Sequence, residues 1–549
     1  MKKLFFLPAL AAALFFTSCS SDEPAGPNNG EVNENGGYLA VNIVTPAGSR
    51  GTDAGFENGD ATAGENTANK AMFLFFDDKG NPTQTPQIVD LTWPTPDQTT
   101  VTPAVEKISE AIVSVAGKTK PAQMLVVLNP GSIRLAGQSL AQVLATTGQY
   151  ATSAAGTFIM TNTAYYDGKI VVTTPLSADD VKDTKDAAKT AAKDVYVERV
   201  VAKIRITDGG LLANVGNTDI TADNEEYTIV PVIHGIEVAN IAQQSYLFKN
   251  IDKITDWMAT DQWPTVNDKE NKRSYWATPY ADKTFANQSW TGVTGDITDL
   301  ANNKFYVQEN TNMSNQTSIL ITAELKYRKK GTNDALQPVE LVKWAGNYYM
   351  KNQFLSRFIT LINNEGYEIV TLTDGKATAH RQFETGEARY LTDAEHKALR
   401  EATTGAGSDI RAFETAGRVN YELKANEVFA KNVTVTGENI NYTGVEAKDI
   451  NDFLLQKANR VWLWNQKSYY YVPIEHFGPV KTPIDFSHGV VRNHIYELNL
   501  KSLTGLGTPV VDASEEIIPE KPDEDLFYVA AKINILKWRV VKQDVNFTD

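Results

Sequence analysis

The final stretch, 525–549, reading DLFYVAAKINILKWRVVKQDVNFTD, constrains the fold more than any other. It sets Phe527, Val529, Ile533, Ile535, Leu536, Trp538, Val540, Val541, Val545 and Phe547 at near-alternating positions, with Lys532, Asn534, Lys537, Arg539, Lys542 and Asn546 between them. Period two is the pattern of a strand with one buried face. The doubled Ile535-Leu536 and Val540-Val541 break the alternation, so a bulge or a change of partner sheet is expected there. Just before it, Asp512 to Asp525 is an acidic, proline-containing linker with too few apolar residues to pack. A long apolar strand on such a leash completes either its own domain's sheet or, by strand addition along an open edge, the sheet of a neighbouring molecule.

The opposite end fixes the compartment. Met1-Lys2-Lys3 is a positive start, Leu4 to Phe16 an apolar run, and Thr17-Ser18 set small residues before Cys19, which together read as an export signal. Cys19 is the single cysteine of 549 residues and sits where a bacterial lipobox places its acylated thiol, with Phe16 where such motifs usually carry Leu. The competing reading is an ordinary secretory signal with an incidental cysteine. On either reading no disulfide or cysteine-held metal is available, and no second run of about 18 apolar residues could span a bilayer. Any membrane attachment runs through the lipid. The net charge of -15, with no basic stripe, excludes nucleic acid or an anionic bilayer as the partner.

Ser20 to Gly37 is a polar tether. Tyr38 to Thr45, YLAVNIVT, is a compact apolar strand carrying Tyr38, Leu39, Val41 and Ile43, and a second flexible stretch follows it at once. That stretch holds one basic residue near its start, Arg50, in an accessible Ser-Arg-Gly context. A trypsin-like protease would cut there, between Arg50 and Gly51, and release the strand with its anchor.

From Lys70 the chain reads as all-β. Strands are expected at 71–76, 108–115, 124–128, 157–160, 169–173 and 195–206, with Val200, Ala202, Ile204 and Ile206 opposing Val201, Lys203 and Arg205 in the last. Ser177 and Asp180 resemble a capping box ahead of a helical insert, KDTKDAAKTAAKD, expected to be mostly solvated. Polar 208–225 is the expected boundary to a second unit with strands at 227–233, 306–307, 318–327, 367–373, 460–464, 469–472 and 490–500. Thr392 and Glu395 cap a short helix expected over Asp393 to Ala402. The fold class is mainly β: two β-sandwich domains in series, 51–210 and 211–511, with short helical inserts, a leader over 1–18, a propeptide over 19–50 and a tail over 512–549.

Chemistry is sparse. None of the six histidines pairs with another at a metal-binding spacing supported by acids, and His488 and His494 are better read as surface or hydrogen-bonded groups. There is no nucleophile elbow, Walker loop or dinucleotide fingerprint, and Gly505-Leu506-Gly507 lacks the third glycine. No enzyme, metal or cofactor is expected. WLWNQKSYYYV, Trp462 to Val472, reads as core and edge before it reads as a glycan-stacking platform.

Seven stretches in this order resemble the Bacteroidales fimbrilins, subunits of the protease-activated type V pili, and especially the minor-fimbria (Mfa-type) major subunits. They are Cys19 in its lipobox, the strand before Arg50, LVVLNP from Leu125, VERVVAKIRI from Val197, FYVQENTN from Phe305, GVVRNHIYELNLKSLTGLGTP from Gly489, and ILKWRVVKQDVNF from Ile535. The resemblance implies transthyretin-like sandwiches, lipidation at Cys19, and cleavage by a trypsin-like Arg-specific protease between Arg50 and Gly51. It also implies displacement of the strand bearing Tyr38, Leu39, Val41 and Ile43. A donor strand from the next copy, drawn from Ile533, Ile535, Leu536, Trp538, Val540, Val545 and Phe547, would then fill the vacated groove. The implied partners are further copies of the chain, tip and anchor subunits, the protease, and host proteins or glycans. A tip adhesin of the same family and a glycan-binding lipoprotein of a nutrient-uptake system are the competing functions.

Overall fold

The structure is a computed structural model that describes residues 37–46, 56–58, 68–91, 105–116, 121–151, 158–166, 170–252, 277–278, 280, 284–302, 304–312, 315–344, 346–390, 392, 394, 419–421, 423–450, 453, 461–476, 489–510, 513–514, 516–517, 519, 531–536 and 539–543. It is mainly β, as expected. The first strands are β1 (Gly37–Pro46), β2 (Phe56–Asn58), β3 (Lys70–Phe76), β4 (Gln87–Asp90), β5 (Val105–Val115) and β6 (Gln123–Leu128). They are followed by α1 (Leu140–Leu144), β7 (Met160–Asn162), α2 (Lys185–Lys189) and β8 (Lys193–Arg199). All of these strands but β2 join one sheet in the order β4-β3-β6-β7-β8-β1-β5.

β8 is the corner of that sheet. Lys193 to Tyr196 pair with β1, whereas Val197 to Arg199 pair with β7. The sheet therefore folds over itself, and Leu39, Val41, Ile43, Ala111, Val113 and Val115 meet Phe73, Phe75, Met124, Val126 and Leu128 in one core. β3 and β6 are buried on both faces, because Met72, Leu74, Phe76, Leu125 and Val127 pack against Val143 of α1 on the far side. That double burial is why their sequences are continuous apolar runs without alternation.

The strand expected over Val195 to Ile206 is two strands. β8 ends at Arg199, and β9 (Val201–Asp208) belongs to a different sheet, pairing with β11 (Lys304–Gln308) and β16 (His494–Leu500). The change of sheet falls at the doubled Val200-Val201, where two consecutive valines are both buried, ahead of the polar stretch after Asp208. Between β9 and β16 the chain forms β10 (Glu225–Ala239), β12 (Ser318–Lys329), α3 (Lys351–Asn364), β13 (Tyr367–Thr373), β14 (Glu427–Thr436) and β15 (Lys467–Pro473). After β16 come β17 (Ala531–Leu536) and β18 (Arg539–Gln543). The sheet β11-β9-β16-β17-β18-β2 stands against one containing β10-β12-β15. Ala202, Ile204, Ile206, Tyr496 and Leu498 pack on Ile236, Val238, Ile319, Ile321, Tyr470 and Val472 between them.

Two helical expectations need correction. Ser177 and Asp180 do close on each other, the Ser177 amide and hydroxyl both donating to Asp180 Oδ2 at 2.6 and 2.7 Å, but this makes an isolated turn. The helix α2 starts after Thr184, whose hydroxyl accepts from the Ala187 amide at 3.2 Å. The insert is mostly solvated, as expected, while Ala188 is buried against Tyr38 and Ala40 of β1. The longest helix, α3, lies where the sequence reading assigned nothing. Its Phe354, Phe358, Ile359 and Ile362 form a helical stripe that packs on Tyr367 and Ile369 of β13, Phe429 of β14 and Leu463. The helix expected over Asp393 to Ala402 lies, Ala394 apart, outside the described residues.

Candidate functional site

The slot around β1 is the feature that sets this molecule apart. β1 is a central strand: it is antiparallel to β5 from Gly37↔Val115 to Thr45↔Lys107 and parallel to β8 from Val41↔Lys193 to Val44↔Tyr196. Leu39, Val41 and Ile43 are fully buried and form part of the core beneath it. Tyr38 and Ala40 point to the other face, under α2, where Ala188 closes on them and Lys185 Nζ lies 5.6 Å from the centre of the Tyr38 ring. Asn42, next along that face, donates from Nδ2 to Asp194 Oδ1 at 3.0 Å. The strand thus has two walls, a floor and a partial roof.

Losing such a strand is costly. Each large apolar side chain in it stabilises the fold by roughly 1.5–3 kcal/mol through burial, and both neighbours would be left with unpaired amides and carbonyls. β5 would be affected most, because among the described strands it pairs only with β1. Two glutamines also hold its far end. Gln84 donates to the Ser114 carbonyl at 3.1 Å and accepts from the Ala116 amide at 2.8 Å, while Gln87 accepts from the Ser114 amide at 3.2 Å and donates back to its carbonyl. Side-chain amides here take the place of a neighbouring strand. Sequence inspection missed these residues, because a glutamine in a turn and another at the start of β4 carry no periodic signal.

The tail residues are held elsewhere. β17 pairs antiparallel with β16, setting Ile533 opposite Leu498, Ile535 opposite Tyr496 and Leu536 opposite Ile495. β18, which contains Val540, folds back on β17 with Ile535 opposite Val540. β2 then adds to β18, with Phe56 opposite Val541. Within one chain, therefore, the β1 slot and the tail lie in separate sheets and are not brought together. The chain joining β1 to β2 contains Arg50 and Gly51; these two residues, with Cys19, Trp538, Val545 and Phe547, lie outside the described residues.

The aromatic stretch is largely inward. Trp464 is fully buried and donates from Nε1 to the Gly507 carbonyl at 3.0 Å, and the buried Tyr470 donates its hydroxyl proton to the Gly505 carbonyl at 2.9 Å. His494 is buried beside His476, with ring centres 4.8 Å apart, and its Nδ1 lies 2.7 Å from the Arg492 carbonyl. His488 lies outside the described residues. Among the described residues no group of three potential metal ligands converges, and no helix is long and apolar enough to cross a membrane.

Two buried ion pairs lie near the ends of β8 and β11. Arg492 donates to Glu309 through Nε at 3.1 Å and to the Leu247 and Tyr246 carbonyls at 3.0 and 2.6 Å, and Lys249 Nζ meets Glu198 at 3.1 Å. Burial pushes the Glu198 carboxyl above the usual range, against the pull of Lys249 and Arg492.

Comparison with known proteins finds a family match for one region of the chain. No curated protein matches the chain. Among solved structures, a candidate cell adhesion protein from Parabacteroides distasonis is similar at 13% identity, over 92% of this chain and 99% of that one, with a TM-score of 0.38. A fimbrilin from Porphyromonas gingivalis is similar at 16% identity over 91% and 98%, with a TM-score of 0.33. A candidate cell adhesion protein from Bacteroides eggerthii is similar at 10% over 94% and 99%, with a TM-score of 0.35. At such values these likenesses lend nothing to the functional reading. Residues 464–544, which span Trp464, β15, β16, β17 and β18, match the family model described as major fimbrial subunit protein type IV, fimbrillin, C-terminal. The C-terminal region of this chain is thus similar to the C-terminal region of the fimbrillins.

Proposed function

We propose that this fimbrial subunit is a shaft component that polymerises by protease-triggered strand exchange. The precursor is a lipoprotein acylated at Cys19, cut between Arg50 and Gly51, and the β1 slot so vacated receives the C-terminal strand of the next copy. One observation carries the reading: β1 is an interior strand of the sheet, with fully buried Leu39, Val41 and Ile43, yet the only covalent link between it and the rest of the sandwich passes through the Arg50 stretch. A strand so placed completes the core until it is cut loose, and afterwards leaves a gap that only another strand can close. A head-to-tail contact of this kind does not close on itself and propagates as a filament.

The home position of β17 on β16 also fits a tip subunit whose tail never leaves. The two readings differ after cleavage. For a shaft subunit, mass spectrometry of surface protein gives an N-terminus at Gly51, Arg50→Ala stays a lipid-bound monomer, and a chain ending at Glu524 forms no fibres in electron micrographs. Undiminished fibres from that truncated chain would favour the tip assignment. The glycan-binding lipoprotein has less support, since the aromatic stretch it would use is turned into the core at Trp464 and Tyr470.

A further inference from the structure

The β1 slot carries two negative charges that β1 answers only with a neutral hydrogen bond, from Asn42 Nδ2 to Asp194 Oδ1 at 3.0 Å. Asn42 lies in register between Glu110 of β5 and Asp194 of β8, and both carboxylates are exposed. A neutral amide thus stands between two anions on adjacent strands, each about 4.8 Å away across the sheet. The nearest lysine on β8, Lys193, is engaged with Asp180 at 3.5 Å.

The start of the tail strand answers those charges. Set without a gap against Tyr38-Leu39-Ala40-Val41-Asn42-Ile43, the chain offers Tyr528-Val529-Ala530-Ala531-Lys532-Ile533. The residues that enter the core, Leu39, Val41 and Ile43, correspond to apolar Val529, Ala531 and Ile533. Ala40, which is fully buried beneath α2 beside Ala188, corresponds to Ala530. Tyr38 corresponds to Tyr528. The one change of character is Lys532 in the place of Asn42.

We infer that Tyr528–Ile533 of a second copy occupies the β1 slot in this register, with Lys532 seated between Glu110 and Asp194. The inference rests on the strand-exchange reading above and specifies its recognition step. The same alignment explains why β1 holds its place until it is cut: Leu39→Val529 and Val41→Ala531 each remove buried carbon, so the tail has less to bury at two of the three core positions and its added attraction is the ion pairing. Correspondence stops at Tyr528. Gly37 packs so closely that a Cβ there would lie 2.6 Å from Val181 Cγ1 and 2.9 Å from the Lys182 carbonyl oxygen, whereas the tail has Phe527 at that point. The 181–182 turn must therefore open as the donor enters.

The test uses the full chain, trimmed with an Arg-specific protease, and follows polymer growth. Lys532→Glu sets like charges on both sides of the seat and should slow growth on the order of tenfold. Adding Glu110→Lys and Asp194→Lys to that variant should restore it. Separately, Lys532→Cys combined with Asp194→Cys should cross-link neighbouring subunits on a non-reducing gel, with Arg539→Cys combined with Asp194→Cys remaining uncross-linked. Growth of Lys532→Glu at the wild-type rate, failure of the triple variant to recover, or cross-linking through position 539 in place of 532 would each overturn the register. Normal growth of a chain ending at Glu524 would instead overturn the exchange reading itself.

Discussion

Tyr38 and Lys182 exchange backbone hydrogen bonds in both directions: the Tyr38 amide donates to the Lys182 carbonyl at 2.6 Å, and the Lys182 amide donates to the Tyr38 carbonyl at 2.8 Å. This bridge pins the entry end of β1, beyond the last residue that pairs with β8, to the turn that leads into α2. The approach is possible only because residue 37 has no side chain, since the Lys182 carbonyl is main chain and cannot swing aside. Gly37→Ala should therefore destabilise the uncut protein by about 1–3 kcal/mol, as overpacking does. If β1 departs on cleavage, assembled fibres of the same variant should melt like wild type, because residue 37 is no longer in them. Thermal melts of uncut protein and of fibres make the comparison, and an equal loss in both would mean that β1 stays.

Strict alternation made some of this architecture legible. β12 was expected as Ser318 to Tyr327 and spans Ser318–Lys329, and the apolar runs in β3 and β6 were placed within a residue. What could not be read was which strand each one joins. Period two says that one face of Ile533 and Ile535 is covered, not that β16 covers it in the uncut chain. Val200-Val201 looked like the interior of one strand because both sheets bury valine equally well, and only the pairing partners separate β8 from β9. The stripe Phe354, Phe358, Ile359 and Ile362 was there to be seen at helical spacing. Glu110 and Asp194 were not, since two acids far apart in an acidic chain acquire meaning only when β1 is laid between them.

Gln84 and Gln87 should matter little before cleavage and much after it. While β1 is present, β5 is held by a ladder along its whole length, and deleting the side-chain bonds of both glutamines at one end costs about a kilocalorie per residue, within the usual net value of about 0.5–1.5 kcal/mol. If β1 leaves as proposed, those bonds at Ser114 and Ala116 still hold the end of the far wall. The double variant Gln84→Ala, Gln87→Ala should melt within a few degrees of wild type when uncut. When trimmed, it should bind a synthetic 525–549 peptide at least about tenfold more weakly, because ordering a loose strand is charged against binding. Equal peptide affinity for the two trimmed proteins would show that β5 holds its position by other means.

Acid should loosen the sheet built on β13 and β14 through a single guanidinium. Arg381 donates from one nitrogen to Glu427 at 2.9 Å and from the same nitrogen to Glu387, and the two carboxylates are only 5% and 16% exposed. Burial pushes both carboxyls up, but the hydrogen bonds and charge of Arg381 outweigh it, and both end below the ordinary value for glutamate. A group whose folded pKa is depressed contributes stability that is complete above its unfolded pKa, about 4.3, and is lost as pH falls through the folded value. Arg381→Met removes that contribution and leaves two crowded carboxylates, so at pH 7 it should lower stability by about 1–3 kcal/mol. The deficit should shrink on titration from pH 5 towards pH 3, as the wild type protonates the same groups and loses what the variant never had. Urea unfolding of the two proteins across that range reads the difference directly, and a deficit that is constant with pH would assign the role of Arg381 to packing of its aliphatic stem.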